Sequence, residues 1–454
     1  MKKIIVSTLA TLMIFTAAPN GATASGPIPV TTQINGDVRQ VNLFPLANNK
    51  VLVTWVDFEG PSAWLRTRVV KNTSTILAQN TVNSAAASYD WGRSIFPNIT
   101  KNAKNQFFAT WTVNKSTGDQ NIQSVLGATS NDGVSWSDPF SVIPDITFAG
   151  SPSVCERESE MLDCGFTAIS SAIDDQGKLA VIFSRKLSET KERIFAVATS
   201  NKNSWPTPTI LGTVGQLRDV NIVGLTKGFA TNYMNYGSAS NCSIYVNFYG
   251  WGKSTWTKTQ RASWRPVNTV VNSRWVQRDS ELLTLVMGSE ITSGGIYMRN
   301  FDVAKGAWSG LSREIQPAKP SIVYQNIRVG TVGEKLFVSY VTFNQITAQS
   351  TLILSSQDSN LSNVVTKVAL KAKDQIDQVG FTATALGEGA FTFNTAGKGY
   401  FVSLKSAKAR LVDTTLSHPN LDAAVATGKG SLLVAFTSRT DNSVQLVLSQ
   451  VALK

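Results

Sequence analysis

The sequence is short of the residues that most site chemistry needs. It has one histidine, His418, and three cysteines in 454 positions. That excludes a histidine-rich metal centre, a four-cysteine zinc site and any Ser-His-Asp triad that does not use His418. Charge is sparse as well, at 16% of residues. Acids are the scarcer sign, 30 Asp+Glu against 42 Lys+Arg, and the chain carries +12. The basic residues are dispersed: no Lys/Arg run exceeds two, and the densest patches (Lys367, Lys371 and Lys373; Lys405, Lys408 and Arg410) are loose. Such a distribution suits weak adhesion to an anionic surface and argues against nucleic-acid recognition. No cofactor or metal-ligand spacing stands out. Asp174-Asp175-Gln176-Gly177 and Gly118-Asp119-Gln120-Asn121 read as polar turns and fall short of a calcium loop.

Long apolar runs are also missing, with one exception at the start. Met1-Lys2-Lys3 is followed by an apolar stretch from Ile4 to Ala18, and Ala22-Thr23-Ala24 fits a small-x-small cleavage site. Residues 1–24 are therefore expected to be a signal peptide, giving a secreted (extracellular or periplasmic) chain with no membrane span after cleavage. Export permits disulfides. Cys155 and Cys164 bracket a short polar segment and are expected to pair, while Cys242 sits at the start of an apolar segment.

What is present is a repeat. A turn followed by alternating apolar residues, mostly ending in an aromatic, returns along the chain. Its copies end at Trp55, Trp111, Phe183, Tyr233, Val286, Tyr340, Phe393 and Phe436. Period-2 alternation after a Gly or Asn turn marks hairpins, and about fifty residues hold four short strands, one propeller blade. The spacing predicts an all-β chain, a single β-propeller over 25–454. Eight four-stranded blades are expected, with seven as the alternative. The longest gap is explained by an insertion loop near 144–165. The last copy, from Leu421, has room for three strands, so the segment Ile28–Ile34 is expected to supply the fourth and close the ring.

Thr129-Ser130-Asn131-Asp132-Gly133-Val134-Ser135-Trp136 fits the Asp-box pattern [Ser/Thr]-x-[Asp/Asn]-x-Gly-x-[Ser/Thr]-Trp, with Thr129, Asn131, Gly133, Ser135 and Trp136 at its fixed positions. Asn131 is the residue expected to hydrogen-bond its own turn, Gly133 to take positive φ, and Trp136 to pack beneath. A shortened copy contains Asn201 and Trp205, and weaker ones end at Trp256 and Trp308. The series resembles the sialidase-type, or Asp-box (BNR repeat), β-propeller superfamily. That resemblance implies a folding device on the outer rim, away from any active site. It also implies, for an enzyme, three carboxylate-binding arginines with a Tyr/Glu pair and an Asp. The nearest analogue of the family's first arginine motif is Arg93-Ser94-Ile95-Phe96-Pro97, where Ile95 stands in the arginine's place.

Residues that open the inner strands should line the channel. By repeat position the ligand-binding candidates are Arg93, Arg218, Asp219, Arg274, Arg278, Asp279 and Arg328, with Trp91 and Trp275 as sugar-stacking rings. Asp377 and Asp422 open the last two units. Arginine's planar fork suits a carboxylate. The reading is a binding protein for a glycan or acidic cell-envelope component, without cofactor or metal. The alternatives are an exo-glycosidase of sialidase type and a protein–protein scaffold. Oligomeric state is left open, with a monomer as the simplest expectation.

Overall fold

A computed structural model describes residues 25–34, 36–59, 62–71, 75–83, 86–87, 97–117, 120–149, 165–188, 191–215, 217–236, 242–250, 253–262, 270–277, 282–289, 295–317, 319–333, 335–357, 365–384, 387–406, 408–412, 420–427, 430–440 and 443–453. The expected signal peptide and the Cys155–Cys164 pair lie outside these residues, as does His418. No helix among the described residues is long and apolar enough to cross a membrane.

The chain is an eight-bladed β-propeller, each blade an antiparallel sheet of four strands, which in blades 1 to 7 follow chain order from the axis outward. Blade 1 comprises Asp37–Pro45, Lys50–Glu59, Ser62–Lys71 and Thr75–Thr81. Blade 2 comprises Asn98–Lys101, Phe107–Thr117, Gln120–Ser130 and Phe140–Ala149. Blade 3 comprises Phe166–Ile173, Leu179–Ser188, Lys191–Thr199 and Thr209–Val214. Blade 4 comprises Leu217–Leu225, Gly228–Tyr236, Cys242–Gly250 and an outer strand split into Lys253–Trp256 and Gln260–Arg261. Blade 5 comprises Val270–Gln277, Leu282–Ser289, Ile296–Asp302 and Ala307–Gln316. Blade 6 comprises Ile322–Val332, Lys335–Asn344, Gln349–Gln357 and Val365–Ala372. Blade 7 comprises Ile376–Ala383, Gly389–Thr395, Lys398–Ser403 and Ala409–Leu411. Blade 8 takes Asn420–Thr427, Ser431–Thr440 and Ser443–Ala452 from the end of the chain and Ser25–Ile34 from its start. Ser25–Ile34 pairs antiparallel with Ser443–Ala452, so the ring closes by the expected route.

The repeated segment is the second strand of each blade. It is covered on both faces by neighbouring blades, which is why Val51–Phe58 is buried at every position. Its terminal aromatic always faces the preceding blade. In blade 5 the ladder places Met287 there, one residue beyond Val286, where alternation alone ends the copy. The core is accordingly divided into eight apolar clusters, one per seam between blades. Among the described residues the closing seam, blade 8 to blade 1, holds fifteen fully buried side chains, and the seam from blade 6 to blade 7 holds five.

The first residues of the insertion expected near 144–165 are strand. The outer strand of blade 2 runs through Pro144 to Ala149, leaving 150–164 outside the described residues. A proline is tolerated there because the strand is an edge and leaves its ladder at that point.

The turn at 129–136 is built on a different register from the one the Asp-box pattern implied. The side chain that accepts the turn's amides is Asp132, not Asn131, which is exposed. Asp132 Oδ1 takes the amides of Val134 and Ser135 at 2.8 and 2.7 Å, and Ser130 Oγ takes that of Gly133 at 2.8 Å. Burial pushes the Asp132 carboxyl up, but these amides and the Ser130 hydroxyl outweigh it and hold it below the usual carboxylate range. Gly133 has φ +75°, as its position requires. The Trp136 indole N–H donates to the Gly133 carbonyl at 3.2 Å. Blade 3 repeats the turn at the same length: Thr199 Oγ1 accepts the Asn201 amide, Asn201 Oδ1 accepts that of Asn203, and the Trp205 indole donates to the Lys202 carbonyl at 3.0 Å. Trp136, Trp205, Trp256 and Trp308 each pack on the seam with the preceding blade.

Candidate functional site

The first strands of the blades surround the axis, and most of them break register near their start. Bulges lie at Gln40-Val41, Thr167, Asp219, Val271, Asn326-Ile327, Val379 and Asp422. Each adds twist and lifts a side chain off the ladder, which suits strands crowded at an axis. Asn326 uses that freedom to donate to the Ile376 carbonyl of blade 7 at 3.0 Å. Its φ of +52°, like that of Gln40, belongs to the left-handed region.

Below the bulges the ladders define one level around the channel. The residues paired with the position just before each repeated aromatic are Asn42, Asn98, Ser170, Asn221, Arg274, Arg328, Gly380 and Ala423, from blades 1 to 8 in order. This face looks toward the next blade, as the hydrogen bonds of its neighbours show: Thr110 to Ser171 at 2.9 Å and Asn232 to Ser273 at 2.7 Å. The level is uneven. Blades 1 to 4 present amides and a hydroxyl, blades 5 and 6 present two arginines, and blades 7 and 8 present almost no side chain.

Arg274 and Arg328 are therefore brought together from adjacent blades. Arg328 Nη1 donates to its neighbour Ile327 at 3.0 Å, and Nε donates to the Val379 carbonyl of blade 7 at 3.4 Å. Burial, and then the like charge of Arg274, pulls the Arg328 guanidinium down to about 10. Holding that charge in place costs on the order of 3 kcal/mol. At the same level of blade 7, a methyl group built on Gly380 meets no atom within 4 Å. An arginine pair suits an anion that accepts two parallel hydrogen bonds.

A second charged group sits at the seam between blades 8 and 1. Asp422, at its bulge, accepts a short hydrogen bond from the Thr437 hydroxyl. Burial pushes its carboxyl up to about 6, with Thr437 and Arg439 opposing and Asp37 adding to the rise. Asp37 is clasped by Arg439 Nη2 and Arg39 Nε, both at 2.5 Å.

The other candidates divide clearly. Trp275 is not a channel residue. It alternates with Arg274, so it faces blade 4, stacks on Trp308 at 6.0 Å and donates to the Thr231 carbonyl at 3.3 Å within the core. Arg218 and Asp219 lie on the first strand of blade 4, Asp219 at the bulge equivalent to that of Asp422. Their side chains lie outside the description, as do Trp91, Arg93, Arg278 and Asp279 entirely. The level containing Asn42, Asn98, Asn221 and Gly380 was missed, because it is visible only once the strands are in register. No group of three metal-ligating side chains occurs among the described residues.

Comparison with known proteins adds little beyond the architecture. No family model matches the sequence, the Asp-box repeats included, and no curated protein matches it. Among solved structures, an ulvan lyase from a new family of polysaccharide lyase, bound to GlcA(1-4)Rha3S, is 9% identical. The likeness covers 96% of this chain and 95% of that one, with a TM-score of 0.46. The polysaccharide lyase Uly1 is 9% identical over 84% of this chain and 94% of its own, with a TM-score of 0.45. A protein of unknown function from Dyadobacter fermentans is 9% identical over 96% and 100%, with a TM-score of 0.41. Likenesses this remote carry no argument about this chain, whose architecture rests on its own strands. What stands of the sialidase-type resemblance is the eight-bladed propeller.

Proposed function

We propose that this chain is an exported binding protein whose channel takes the acidic end of a glycan. The observation that carries the reading is the convergence of Arg274 and Arg328 at one level of the channel. A fold that places two like charges together, one of them desolvated, bears a cost that an anionic ligand would offset. The amides of Asn42, Asn98 and Asn221 at the same level suit the hydroxyls of a sugar, since each offers both a donor and an acceptor. Binding is preferred to turnover because Ile95 replaces the arginine of the family motif. The exposed large apolar residues Val134, Ile210, Ile346, Val368 and Leu411 come from four different blades, which does not favour a scaffold.

Catalysis has one observation on its side, the near-neutral Asp422, a group able to donate a proton. The deciding experiment is calorimetry with D-glucuronate and a uronate oligosaccharide, run beside a fluorogenic sialoside and a glycoside panel. Binding without turnover, weakened about tenfold or more in Arg328→Ala, is the expected result. Turnover lost in Asp422→Asn would replace binding by catalysis. Absence of both would overturn the reading.

A further inference from the structure

The outer part of the seam between blades 4 and 5 holds a cation with no acid beside it. Arg299 alternates with Met298, which packs on the seam with blade 6, and so shares with Phe301 the face toward blade 4. Its guanidinium carbon lies 4.6 Å from the centroid of the Trp308 ring, and Nη1 donates to the Ala262 carbonyl of blade 4 at 3.3 Å. Among the described residues no ion pair includes Arg299, and burial lowers its guanidinium from the ordinary value. Its Nε is buried and has no acceptor.

Trp308 brings a second such donor. In blades 2 and 3 the indole N–H of Trp136 and of Trp205 is taken by the carbonyl three residues earlier. The turn of blade 5 is one residue longer than that of blade 2: Ser130 bridges Trp136, whereas Phe301 pairs with Trp308 and encloses the pair Asp302–Ala307. Asp302 Oδ1 closes this longer turn on the Lys305 amide at 3.0 Å, and the Trp308 indole nitrogen is left buried with no acceptor. Two buried N–H donors, one of them on a charged group, thus belong to one Arg-on-Trp stack. Unmatched donors of this kind are costly, and a ligand that only accepts relieves both.

We propose that this stack binds a single halide ion, held by Arg299 Nε and Trp308 Nε1 and separate from the channel. A monatomic ion suits it better than an oxyanion, whose further oxygens would need further donors. The neighbouring rings supply none: Phe248 and Phe301 are apolar, and the Trp275 indole already donates to the Thr231 carbonyl. Arg68 is the internal control. It pairs with Val53, two residues before Trp55, as Arg299 pairs with Leu285, two residues before Met287. Its Nη1 donates to the Val30 carbonyl of blade 8 and its Nε also lacks an acceptor, but no tryptophan ring lies against it among the described residues. A role as a pin between blades belongs to both arginines, and the halide only to Arg299.

Bromide is the probe. Indole 1H–15N spectra are recorded as sodium fluoride, whose anion holds its water too tightly to enter an aromatic seam, is replaced by sodium bromide. Ionic strength stays constant, so screening does not change. The Trp308 resonance, assigned from Trp308→Phe, should move saturably, and the melting temperature should rise by about 2 °C. Arg299→Met should abolish both responses, Arg299→Lys should keep a weaker shift, and Arg68→Met should respond as the wild type does. Crystals grown in bromide should show an anomalous peak against Arg299 Nε and Trp308 Nε1, which decides the matter even if Arg299→Met folds poorly. A Trp308 resonance indifferent to the exchange would overturn the proposal and leave water as the acceptor. An equal shift in Arg299→Met, a lost one in Arg68→Met, or an anomalous map without that peak would overturn it as well.

Discussion

The seams from blade 2 to blade 4 and those from blade 5 to blade 7 are made of the same repeat but are finished differently. In the first arc, several buried polar groups are satisfied across the seams. Asn102 Nδ2 donates to the Asp174 carbonyl at 2.7 Å, and the Ala103 amide donates to Asp175 Oδ1 at 2.8 Å. Asp174, fully buried, takes the amides of Gln176 and Lys178 and reaches on to that of Gly228 in blade 4 at 2.9 Å. The turns at 130–136 and 199–205 then add Trp136 and Trp205 to the apolar seams. The second arc has the thinnest apolar seam among the described residues, two neighbouring guanidiniums and a glycine where a side chain would fit. One arc maximises cohesion. The other gives some of it up at the level of the proposed site.

That contrast sets a graded series of tests. The largest effect is expected in the cohesive arc. Asp174→Ala strips three amides of their acceptor and should cost about 4 kcal/mol in urea unfolding, with affinity for D-glucuronate unchanged. An equal loss of affinity would show that the two arcs are not separable.

Asp422→Asn should come next, through pH. The folded carboxyl titrates near 6 against an ordinary 3.8. The folded protein therefore holds this proton more tightly than the unfolded chain. Stability is greatest below about pH 4 and declines as pH rises toward 6, by about 3 kcal/mol in all. The asparagine variant should lack that decline and be the more stable protein at pH 8. Matching pH profiles for the two proteins would rule out Asp422 as the source.

Arg328→Ala should reverse the pattern of Asp174→Ala: affinity for D-glucuronate falls by about 2 kcal/mol while stability holds or rises, because a desolvated like charge has been removed. A fall in stability would mean that the arginine is cohesive after all. The smallest effect is expected at Gly380. Gly380→Ala should shift unfolding by less than about 0.5 kcal/mol, since its methyl meets nothing, yet should lower affinity measurably. Gly224→Ala is the contrast, because a Cβ there would lie 2.0 Å from the Ile173 carbonyl oxygen in the cohesive arc.

Much of the architecture was legible because the second strand is covered on both faces and so repeats a dense apolar pattern. The aromatics at Trp55, Trp111, Phe183, Tyr233, Tyr340, Phe393 and Phe436 mark seven blades directly, and the missing strand of blade 8 could be sought at Ile28–Ile34. Arg274 and Arg328 were legible for the same reason, since repeat position places them on inner strands. Trp275 was misassigned because period 2 separates the two faces of a strand without saying which one meets the channel. The Asp-box pattern assigned the turn acceptor to Asn131, but its neighbour Asp132 carries a side chain equally able to take turn amides, and it is the one that does. The collar around Asp174 resembled an ordinary turn. Its reach into blade 4 depends on a partner 54 positions away, which no local pattern reveals.

The pairing of Ser25 with Gln450 and of Ile34 with Ser443 spans the whole ring. It makes completion of the fold an all-or-nothing event in time. Seven blades can assemble as they are synthesised, but the circle cannot lock until the last strand has been delivered to the first. Until then the chain is an open arc with an unpaired strand edge at each end, and a second unfinished copy is as good a partner as its own terminus. Dilution and delay thus become properties of this fold: the slower the last fifty residues arrive, the more the outcome depends on how many other arcs are nearby.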